Sequence, residues 1–365
     1  MSPETDRAQF LAELSSRRER VYDYLQAALN RNALRSLHLG EAVGHYVRQP
    51  GKGLRSGILL FCCGATGGAE EAAVPAAAAV ELFHVWTLVH DDIIDQDNRR
   101  RGRPTVHAAF AARAQQELRL TSADAAHYGL TQALLAGDIQ QGWSAALLTE
   151  CATEYGVAAT LVLHLIAELF GPVEAQLVDG EALDVQFSLQ ELNAVSEADI
   201  LDMMQKKTGV LYAFAATAGA CIGLDAWRPG DPAVSALAAF ARNCGIAFQL
   251  QDDALGIVGD SAATGKPVGA DIREGKRTLI VMEALRNASP AQRREIFAAL
   301  GNRSAHDAQV ESATRLLQDL GGVAYARSLA QMYIDRAHSN LAHVHRQPYR
   351  QLLHTVADFV LARDS

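Results

Sequence analysis

The sequence predicts an all-α protein, and three observations support that prediction. Apolar residues recur with a period near 3.6 along the chain, whereas few segments alternate between polar and apolar residues. Alanine and leucine, which both favour helices, dominate the composition. Turn-forming pairs such as Gly67-Gly68 and Gly321-Gly322 separate the periodic segments, and no linker rich in Ser, Gly or Pro divides the chain. We therefore expect one helical domain over residues 1–365.

The periodic segments give the expected order of helices. They cover residues 6–30, 38–48, 54–66, 70–96, 104–117, 122–146, 149–169, 173–187, 196–224, 232–258, 276–286, 291–299, 306–319, 322–343 and 348–363. Long loops are expected at 96–104 and 259–277. Each of these loops follows an aspartate-bearing helix and carries several Arg or Lys residues.

Composition and charge exclude several classes of protein. The formal net charge of -9 argues against nucleic acid as the main partner, because phosphate binding needs a basic surface. The five cysteines show no CxxC spacing, which favours reduced core cysteines in a cytoplasmic protein. The N-terminus is polar and lacks the apolar core of a signal peptide. The longest uncharged apolar stretch, Thr208 to Leu224, is shorter than the roughly 20 residues of a membrane span, so no transmembrane segment is expected.

The first candidate site is an aspartate cluster at the end of an apolar helix. Asp91 and Asp95 lie four residues apart, on one helical face, and Asp92 points about 100° away from Asp91. Burying such carboxylates is unfavourable unless a positive charge compensates them. Magnesium prefers carboxylate and phosphate oxygens, so the pattern indicates a metal site. A solvated helix end, or a pair neutralised by the arginines that follow, remains an alternative.

Two basic segments accompany this cluster. Residues 99–103 include four arginines, whose planar guanidinium groups suit phosphate oxygens. A second segment, Gly51-Lys52-Gly53-Leu54-Arg55, is a glycine-bearing turn that opens a helix, where backbone N–H groups can bind an anion. A basic surface loop and a plain surface turn are the corresponding structural interpretations. Acidic and basic groups side by side favour a site for a metal and a diphosphate.

A second aspartate pair ends another apolar helix. Asp252 and Asp253 follow Phe248-Gln249-Leu250-Gln251, and Asp260 comes eight residues after Asp252. Negative charge at a helix C-terminus opposes the helix dipole, which favours function over stability as the reason for the pair. Two such helices facing each other in a bundle would build a metal site in its core.

In their order, these segments resemble the trans-isoprenyl diphosphate synthases, also called polyprenyl synthetases, across nearly the whole chain. The matching segments are Gly51-Lys52-Gly53-Leu54-Arg55, His84, Asp91-Asp92-Ile93-Ile94-Asp95, Arg100-Arg101-Gly102-Arg103-Pro104-Thr105-Val106-His107, Gly137-Asp138, Lys207-Thr208-Gly209, Phe248-Gln249-Leu250-Gln251-Asp252-Asp253, Gly265-Lys266-Pro267, Asp271 and Gly275-Lys276. The resemblance implies the all-α isoprenoid synthase fold, a large helical bundle around a central cavity, and a homodimer. It also implies an enzyme that condenses isopentenyl diphosphate with an allylic diphosphate (dimethylallyl, geranyl or farnesyl).

The resemblance further implies roles for individual residues. Three Mg²⁺ ions, replaceable by Mn²⁺, would be bound by Asp91, Asp95 and Asp252, with Asp92 and Asp253 in support. The allylic diphosphate would be bound by Arg100, Lys207, Lys266 and Lys276, and the isopentenyl diphosphate by Lys52, Arg55, His84 and Arg101. The catalytic residues would be Lys207, Thr208 and Gln249, of which Thr208 and Gln249 would line the space near the allylic cation.

This sequence departs from the family pattern at three positions. Gly256 stands where the second motif usually has a third aspartate. Gly53 stands where the first basic motif usually has an arginine, and Ser56 where it has a proline. At the second motif we expect Asp252 to carry the metal. Neither change in the basic motif removes a side chain assigned to a ligand, although Gly53 lowers the local positive charge.

The helix that carries Asp91 should also set the product length. Trp86 and Phe83 lie five and eight residues before Asp91, on the side expected to face the pocket floor, and Thr87, four before, is small. Ordinary core aromatics are the structural alternative. In the family, an aromatic residue followed by a small one resembles short-chain enzymes that make geranylgeranyl diphosphate, with farnesyl diphosphate as the alternative product.

Three other functions fit the sequence less well. A class I terpene cyclase would need an NxxxSxxxE metal motif, which the sequence lacks. A non-catalytic partner subunit should have lost metal ligands, but both aspartate pairs are present. A helical scaffold would not explain the ordered recurrence of the charged clusters.

Overall fold

The computed structural model describes residues 3–191, 194–258 and 269–362. Its α-helices are α1 Pro3–Arg31, α2 Leu37–Val43, α3 Leu54–Thr66, α4 Val74–Ile94, α5 Val106–Glu117, α6 Ser122–Thr153, α7 Ala159–Glu168, α8 Glu174–Leu189, α9 Glu197–Met204, α10 Val210–Gly223, α11 Pro232–Val258, α12 Ala270–Glu274, α13 Leu279–Asn287, α14 Pro290–Ala299, α15 Asp307–Asp319, α16 Gly322–Asn340 and α17 Tyr349–Leu361. Short 3₁₀ turns occupy Glu70–Ala73 and Leu341–His343, and π-helical turns occupy Leu169–Val173 and Gln205–Gly209. The all-α prediction is confirmed.

The chain divides into two compact units. The first consists of residues 1–172, 214–238 and 341–356, and the second of residues 173–213, 239–340 and 357–365. In the first unit, α4 packs extensively against α6, and α5 also lies on α6. In the second unit, α13 packs between α15 and α16 around a core that includes Ile280 and Leu317. The first aspartate cluster belongs to the first unit and the second cluster to the second unit.

Helix α4 is the central helix of the first unit because it is apolar on nearly every side. Pro75 occupies its first turn, where a missing N–H costs nothing. From Ala76 to Phe83 every side chain is buried, as expected for a helix that is hydrophobic all round. The five cysteines are all free and buried, which confirms the prediction of reduced core cysteines.

Several predicted boundaries were wrong. A break was expected at 147–148, but α6 continues to Thr153, and the chain turns only at Gly156, whose φ of 72° is left-handed. The helix expected over 38–48 ends at Val43, because Gly44 forms its C-cap. The single helix expected over 196–224 is interrupted by the π-helical turn Gln205–Gly209. A π turn has no sequence periodicity of its own and was not predicted.

Both long loops contain structure that was not predicted. The loop at 96–104 holds an antiparallel hairpin of two short strands, β1 Arg99–Arg100 and β2 Arg103–Pro104. Arg101 and Gly102 form its turn with φ values of 53° and 73°, and hairpin turns of this kind need positive φ at both central residues. In the second loop, the short helix α12 covers Ala270–Glu274, whereas residues 259–268 lie outside the described residues.

Among the described residues, three helical stretches are long and apolar enough to cross a membrane by length and composition alone. They are Glu70–Ile94, Ala159–Leu189 and Pro232–Val258. All three are longer than the stretch 208–224 from which no span was predicted. In Glu70–Ile94 the apolar window is 78% buried inside the protein, so its hydropathy is accounted for by the core.

Candidate active site

The first aspartate cluster lies at the C-terminal end of α4. Asp91 is half-buried, whereas Asp92 is fully buried, in agreement with the predicted rotation between them. Arg100 binds both, with its Nε 2.6 Å from one oxygen of Asp92 and an Nη 2.7 Å from Asp91. The hydroxyl of Tyr46 donates to the other oxygen of Asp92. Asp92 is thus surrounded by protein donors, while Asp91 keeps partial exposure.

Electrostatics distinguish Asp92 from its neighbours. Burial raises the pKa of the Asp92 carboxyl, and the Arg100 guanidinium opposes that shift. Among the described residues, α4 and its C-cap keep a strip of partial exposure that carries His84, Thr87, Asp91 and Asp95. These four residues are therefore accessible from outside α4, whereas Asp92 is not.

The glycine turn before α3 explains one departure from the family pattern. Gly53 has a φ of 68°, a left-handed conformation that a side chain would strain. A Cβ atom at Gly53 would also lie 2.9 Å from Cγ of Arg18. An arginine at this position would therefore be unfavourable here. Lys52 beside it is exposed.

Arg55 and His84 lie next to each other in the first unit. Nη1 of Arg55 is 3.0 Å from Nε2 of His84. Arginine offers only donors, so Nε2 of His84 accepts this bond and the imidazole is neutral, with its proton on Nδ1. Burial, reinforced by the Arg55 charge, lowers the pKa of His84 well below its usual value. His84 therefore orients the guanidinium of Arg55.

Arg101 lies over the same turn. One of its Nη atoms donates to the backbone carbonyl of Gln49 at 2.9 Å. A Cβ atom at Gly51 would lie 2.8 Å from another Nη of Arg101, so the guanidinium group packs directly on Gly51. The structure thus brings Arg101 into contact with the glycine turn. The sequence resemblance had assigned both to the same substrate but had not predicted this contact.

The aromatic residues proposed to limit product length form a cluster in the first unit. The rings of Phe83 and Trp86 are 4.8 Å apart, and those of Phe83 and Phe170 are 5.5 Å apart, both edge to face. Phe83 is fully buried and Trp86 retains 8% exposure. Thr87 is half-buried, and its hydroxyl donates to the His84 carbonyl at 2.8 Å. Phe83 therefore contacts both Trp86 and Phe170. The sequence did not identify Phe170.

In the second unit, Lys207 lies between two carboxylates of α8. Its Nζ is 2.8 Å from Glu181 and 2.7 Å from Asp184. The π-helical turn that carries Lys207 approaches α8 closely: a Cβ atom at Gly180 would lie 2.4 Å from the backbone nitrogen of Lys207. The sequence analysis did not predict Glu181 and Asp184 as site residues. Their three-residue spacing places both carboxylates on one face of the helix, which could have indicated a shared site.

The other predicted catalytic residues join by hydrogen bonds. The Thr208 hydroxyl donates to Oε1 of Gln249 at 3.0 Å, and the Gln249 amide donates to Asp253 at 3.0 Å. Burial raises the pKa of Asp253 to about 8, the Gln249 hydrogen bond opposes the shift, and the nearby carboxylates of Asp271 and Asp184 add to it. Burial and the neighbouring carboxylates therefore disfavour the charged form of Asp253 at this end of α11.

Asp271 occupies the space beside Gly256. A Cβ atom at Gly256 would lie 2.9 Å from Oδ2 of Asp271, so a third aspartate there would crowd a carboxylate that is already present. Lys276 is paired with Glu274 at 3.2 Å and lies 3.7 Å from Asp271. Lys266, the remaining predicted diphosphate ligand, lies outside the described residues, as does Asp260.

Comparison with known proteins identifies the family. The model of the family described as polyprenyl synthetase matches residues 37–317. The chain belongs to the polyprenyl synthetase family. Geranylgeranyl diphosphate synthase of Sulfolobus acidocaldarius is 35% identical over 306 residues, which cover 84% of each protein. Geranylfarnesyl diphosphate synthase of Aeropyrum pernix is 33% identical over 347 residues, or 94% of this chain and 98% of that protein.

Solved structures agree with this assignment. The crystal structure of geranylgeranyl pyrophosphate synthase from Corynebacterium glutamicum, complexed with isoprenyl diphosphate and magnesium, has a TM-score of 0.82 and 25% identity, with all of both chains covered. This polyprenyl synthetase is therefore an enzyme of the prenyltransferase class with the isoprenoid synthase fold. Its family uses divalent metal ions.

The carboxylates of this polyprenyl synthetase fit a hard divalent cation. The carboxylates of Asp184, Asp252 and Asp271 all raise the pKa of Asp253, and among the described residues Lys207 pairs with Asp184 and Lys276 lies 3.7 Å from Asp271. Carboxylate oxygens are the protein ligands that Mg²⁺ prefers. A bound divalent ion would favour the charged form of Asp253. The donor set therefore suits the metal that the family uses.

Proposed function

We propose that this chain condenses isopentenyl diphosphate with an allylic diphosphate to give geranylgeranyl diphosphate. The observation that carries the product assignment is the aromatic cluster of Trp86, Phe83 and Phe170, in which Trp86 lies just over one helical turn before Asp91. A tryptophan ring at this depth would leave room for a short prenyl chain and stop further elongation. The geranylgeranyl diphosphate synthases among the relatives support the same length.

The proposed ligands follow the two clusters. The side chains proposed for Mg²⁺ are Asp91, Asp95 and Asp252, with Asp92 and Asp253 in support; those for the allylic diphosphate are Arg100, Lys207, Lys266 and Lys276; and those for the isopentenyl diphosphate are Lys52, Arg55, His84 and Arg101. Bound magnesium supplies charge neutralisation for the diphosphate leaving group. Partial exposure of Asp91 and the complete enclosure of Asp92 support a binding role for the first and a supporting role for the second.

The residues around the reacting carbon support an ionisation mechanism. The allylic C–O bond breaks and the diphosphate leaves with the bonding electrons, held by arginine and lysine side chains. The isopentenyl double bond then forms the new C–C bond, and a proton is lost to the departing diphosphate. The Thr208 hydroxyl is committed to Gln249, which fixes the Gln249 carbonyl dipole near the proposed cation. No side chain is needed as the base.

Product analysis tests this proposal. The purified protein is incubated with Mg²⁺, isopentenyl diphosphate and dimethylallyl, geranyl or farnesyl diphosphate in turn, and dephosphorylated products are separated by chromatography. We expect a twenty-carbon alcohol as the main product. Fifteen or twenty-five carbons would refute the length, a cyclic hydrocarbon would indicate a cyclase, and no turnover would indicate a non-catalytic subunit.

We also propose a cytoplasmic homodimer formed by the whole chain, 1–365, as one functional domain. The family model spans residues of both units, and five free buried thiols suit a reducing compartment. Leu134 and Leu135 of α6 are over 40% exposed and would suit a subunit interface. Light scattering should give about twice the chain mass of 39.2 kDa.

The aspartates on α4 and α11 favour a core position for these helices over a membrane position.

A further inference from the structure

A buried carboxylate outside both aspartate clusters has two partners in the first unit. Glu81 of α4 is only 4% exposed. Its Oε1 accepts the backbone N–H of Ser56 at 3.2 Å, and its Oε2 accepts the hydroxyl of Tyr22 at 3.2 Å. Removing a carboxylate from water is costly, and two hydrogen bonds from neutral donors offset only part of that cost. The position of Glu81 therefore requires an explanation beyond stability.

The first contact caps helix α3 from another helix. Gly53 is the N-cap of α3 and has no side chain that could accept a hydrogen bond from the first turn of the helix. Ser56 is the third residue of α3, and Glu81 accepts its N–H. A negative charge at this end also interacts favourably with the helix dipole. Glu81, on a different helix, thus provides the capping acceptor that Gly53 lacks.

The second contact extends to the other end of the same turn. The hydroxyl oxygen of Tyr22, which donates its proton to Glu81, accepts the backbone N–H of Gly51 at 3.2 Å. One carboxylate therefore fixes both ends of the segment Gly51–Ser56, directly at Ser56 and through Tyr22 at Gly51. Lys52 and Arg55 lie between these two fixed points, and Arg101 packs on Gly51.

We propose that Tyr22 and Glu81 are positioning residues for isopentenyl diphosphate. They hold the turn that carries Lys52 and Arg55 in its binding conformation, so that binding the diphosphate requires little ordering of the backbone. This inference rests on the proposed function, which assigns Lys52 and Arg55 to that substrate. Neither Tyr22 nor Glu81 contacts the substrate in this scheme.

The test is Tyr22→Phe, which removes the hydroxyl and keeps the ring. Tyr24→Phe is a matched control, because Tyr24 lies on the same helix and donates its hydroxyl to a carboxylate, Glu150, away from the turn. We expect Tyr22→Phe to raise the KM for isopentenyl diphosphate about five- to tenfold, the range for one lost hydrogen bond in a buried site. The KM for the allylic diphosphate and kcat should stay within about twofold, and Tyr24→Phe should leave all three unchanged.

A binding measurement separates the possible failures. Isothermal titration of the wild-type protein with isopentenyl diphosphate and Mg²⁺ should give a Kd that rises in Tyr22→Phe by the same factor as KM. Wild-type binding with equal affinity in Tyr22→Phe would overturn the positioning role alone. Absence of binding to the wild type would overturn the proposed function, and the positioning role with it.

A second variant is available if Tyr22→Phe fails to fold. Glu81→Gln keeps an oxygen for Ser56 but cannot accept bonds at both positions, so the KM for isopentenyl diphosphate should again rise selectively. A lower melting temperature with an unchanged KM would show that the pair is merely structural.

Discussion

Trp86 is the single residue on which the product assignment depends. It lies between the fully buried Phe83 and the part of α4 that keeps some exposure. Phe83 contacts both Trp86 and Phe170 edge to face, so the Phe83 ring packs between the other two rings. The length of the product should therefore respond to Trp86 more than to either supporting ring.

Replacing Trp86 with alanine should lengthen the product. The change removes the indole and opens space beyond the proposed twenty-carbon limit, so products of twenty-five carbons or more should appear in the chromatogram of dephosphorylated alcohols. The substitution should also lower stability by about 3–5 kcal/mol, as is usual for a large buried aromatic. Trp227→Ala is the control, because Trp227 stacks on His164 away from α4. An unchanged product distribution in Trp86→Ala would disprove the floor assignment.

His84 should make the free energy of unfolding depend on pH. The pKa of His84 is lowered in the folded protein. As the pH falls through about 6.5, His84 is therefore protonated in the unfolded chain but stays neutral in the folded chain. Above about pH 7.5 the ionisation of His84 does not affect the free energy of unfolding. Below about pH 6.5 it lowers the free energy of unfolding progressively.

Denaturant unfolding of His84→Asn at pH 5 to 7.5 checks this effect. Between pH 6 and 5, the slope of unfolding free energy against pH should be smaller than in the wild type by up to about 1.4 kcal/mol per pH unit. Parallel curves for the two proteins would show that His84 is protonated equally in both states.

At the scale of secondary-structure elements, the contact between α8 and the π-helical turn Gln205–Gly209 positions Lys207. The contact is close because Gly180 has no side chain. The wider π turn carries Lys207 and Thr208, and Glu181 and Asp184 on α8 bind the lysine. The spacing between these two elements therefore determines where a predicted catalytic residue lies.

Gly180→Ala should disrupt this contact. Its Cβ would meet backbone and Cβ atoms of the π turn, which cannot move as a flexible side chain can. We expect a loss of about 1–3 kcal/mol in unfolding free energy, typical of overpacking, and a reduced kcat. Gly142→Ala is the matched control, because a Cβ added at Gly142 of α6 would have no atom within 4 Å, and helix propensity alone should make the change neutral or stabilising. Equal stability of the two variants would contradict this account.

The helices themselves were largely predictable, whereas the geometry of the site was not. Helix α3 covers the predicted residues 54–66 and α11 begins at the predicted residue 232, because glycine or proline bounds their apolar periodicity at these points. The π turn at Gln205–Gly209 was missed because it depends on packing between helices. Tyr22, Glu81 and Tyr46 were missed because each acts through a hydrogen bond to a residue more than twenty positions away.

Local motifs nevertheless identified many of the candidate residues. Asp91 and Arg100 were singled out separately from the sequence, and the structure brings them within 2.7 Å. The two acidic partners of Lys207 were not predicted, since a charge in mid-helix has many possible partners on the surface. Which charges pair is decided by tertiary contacts that periodicity cannot report.

At the scale of the whole molecule, the five cysteines are distributed unevenly between the two units. Cys62, Cys63, Cys151 and Cys221 belong to the first unit and Cys244 to the second. Each is 0% exposed, and burial raises the pKa of Cys63 and of Cys151 to about 12. None of these thiols should react with an alkylating reagent while its surroundings stay folded.

Alkylation of the buried thiols therefore reports the unfolding of each unit separately. Pulsed alkylation in increasing denaturant, read by peptide mass spectrometry, should label Cys244 and Cys151 at the same denaturant concentration if the chain unfolds as one cooperative body. Labelling of Cys244 at a lower concentration would show that the second unit opens first. The same experiment with Mg²⁺ and a diphosphate present would show which unit gains protection from the ligand, and so where along the chain binding energy is converted into stability.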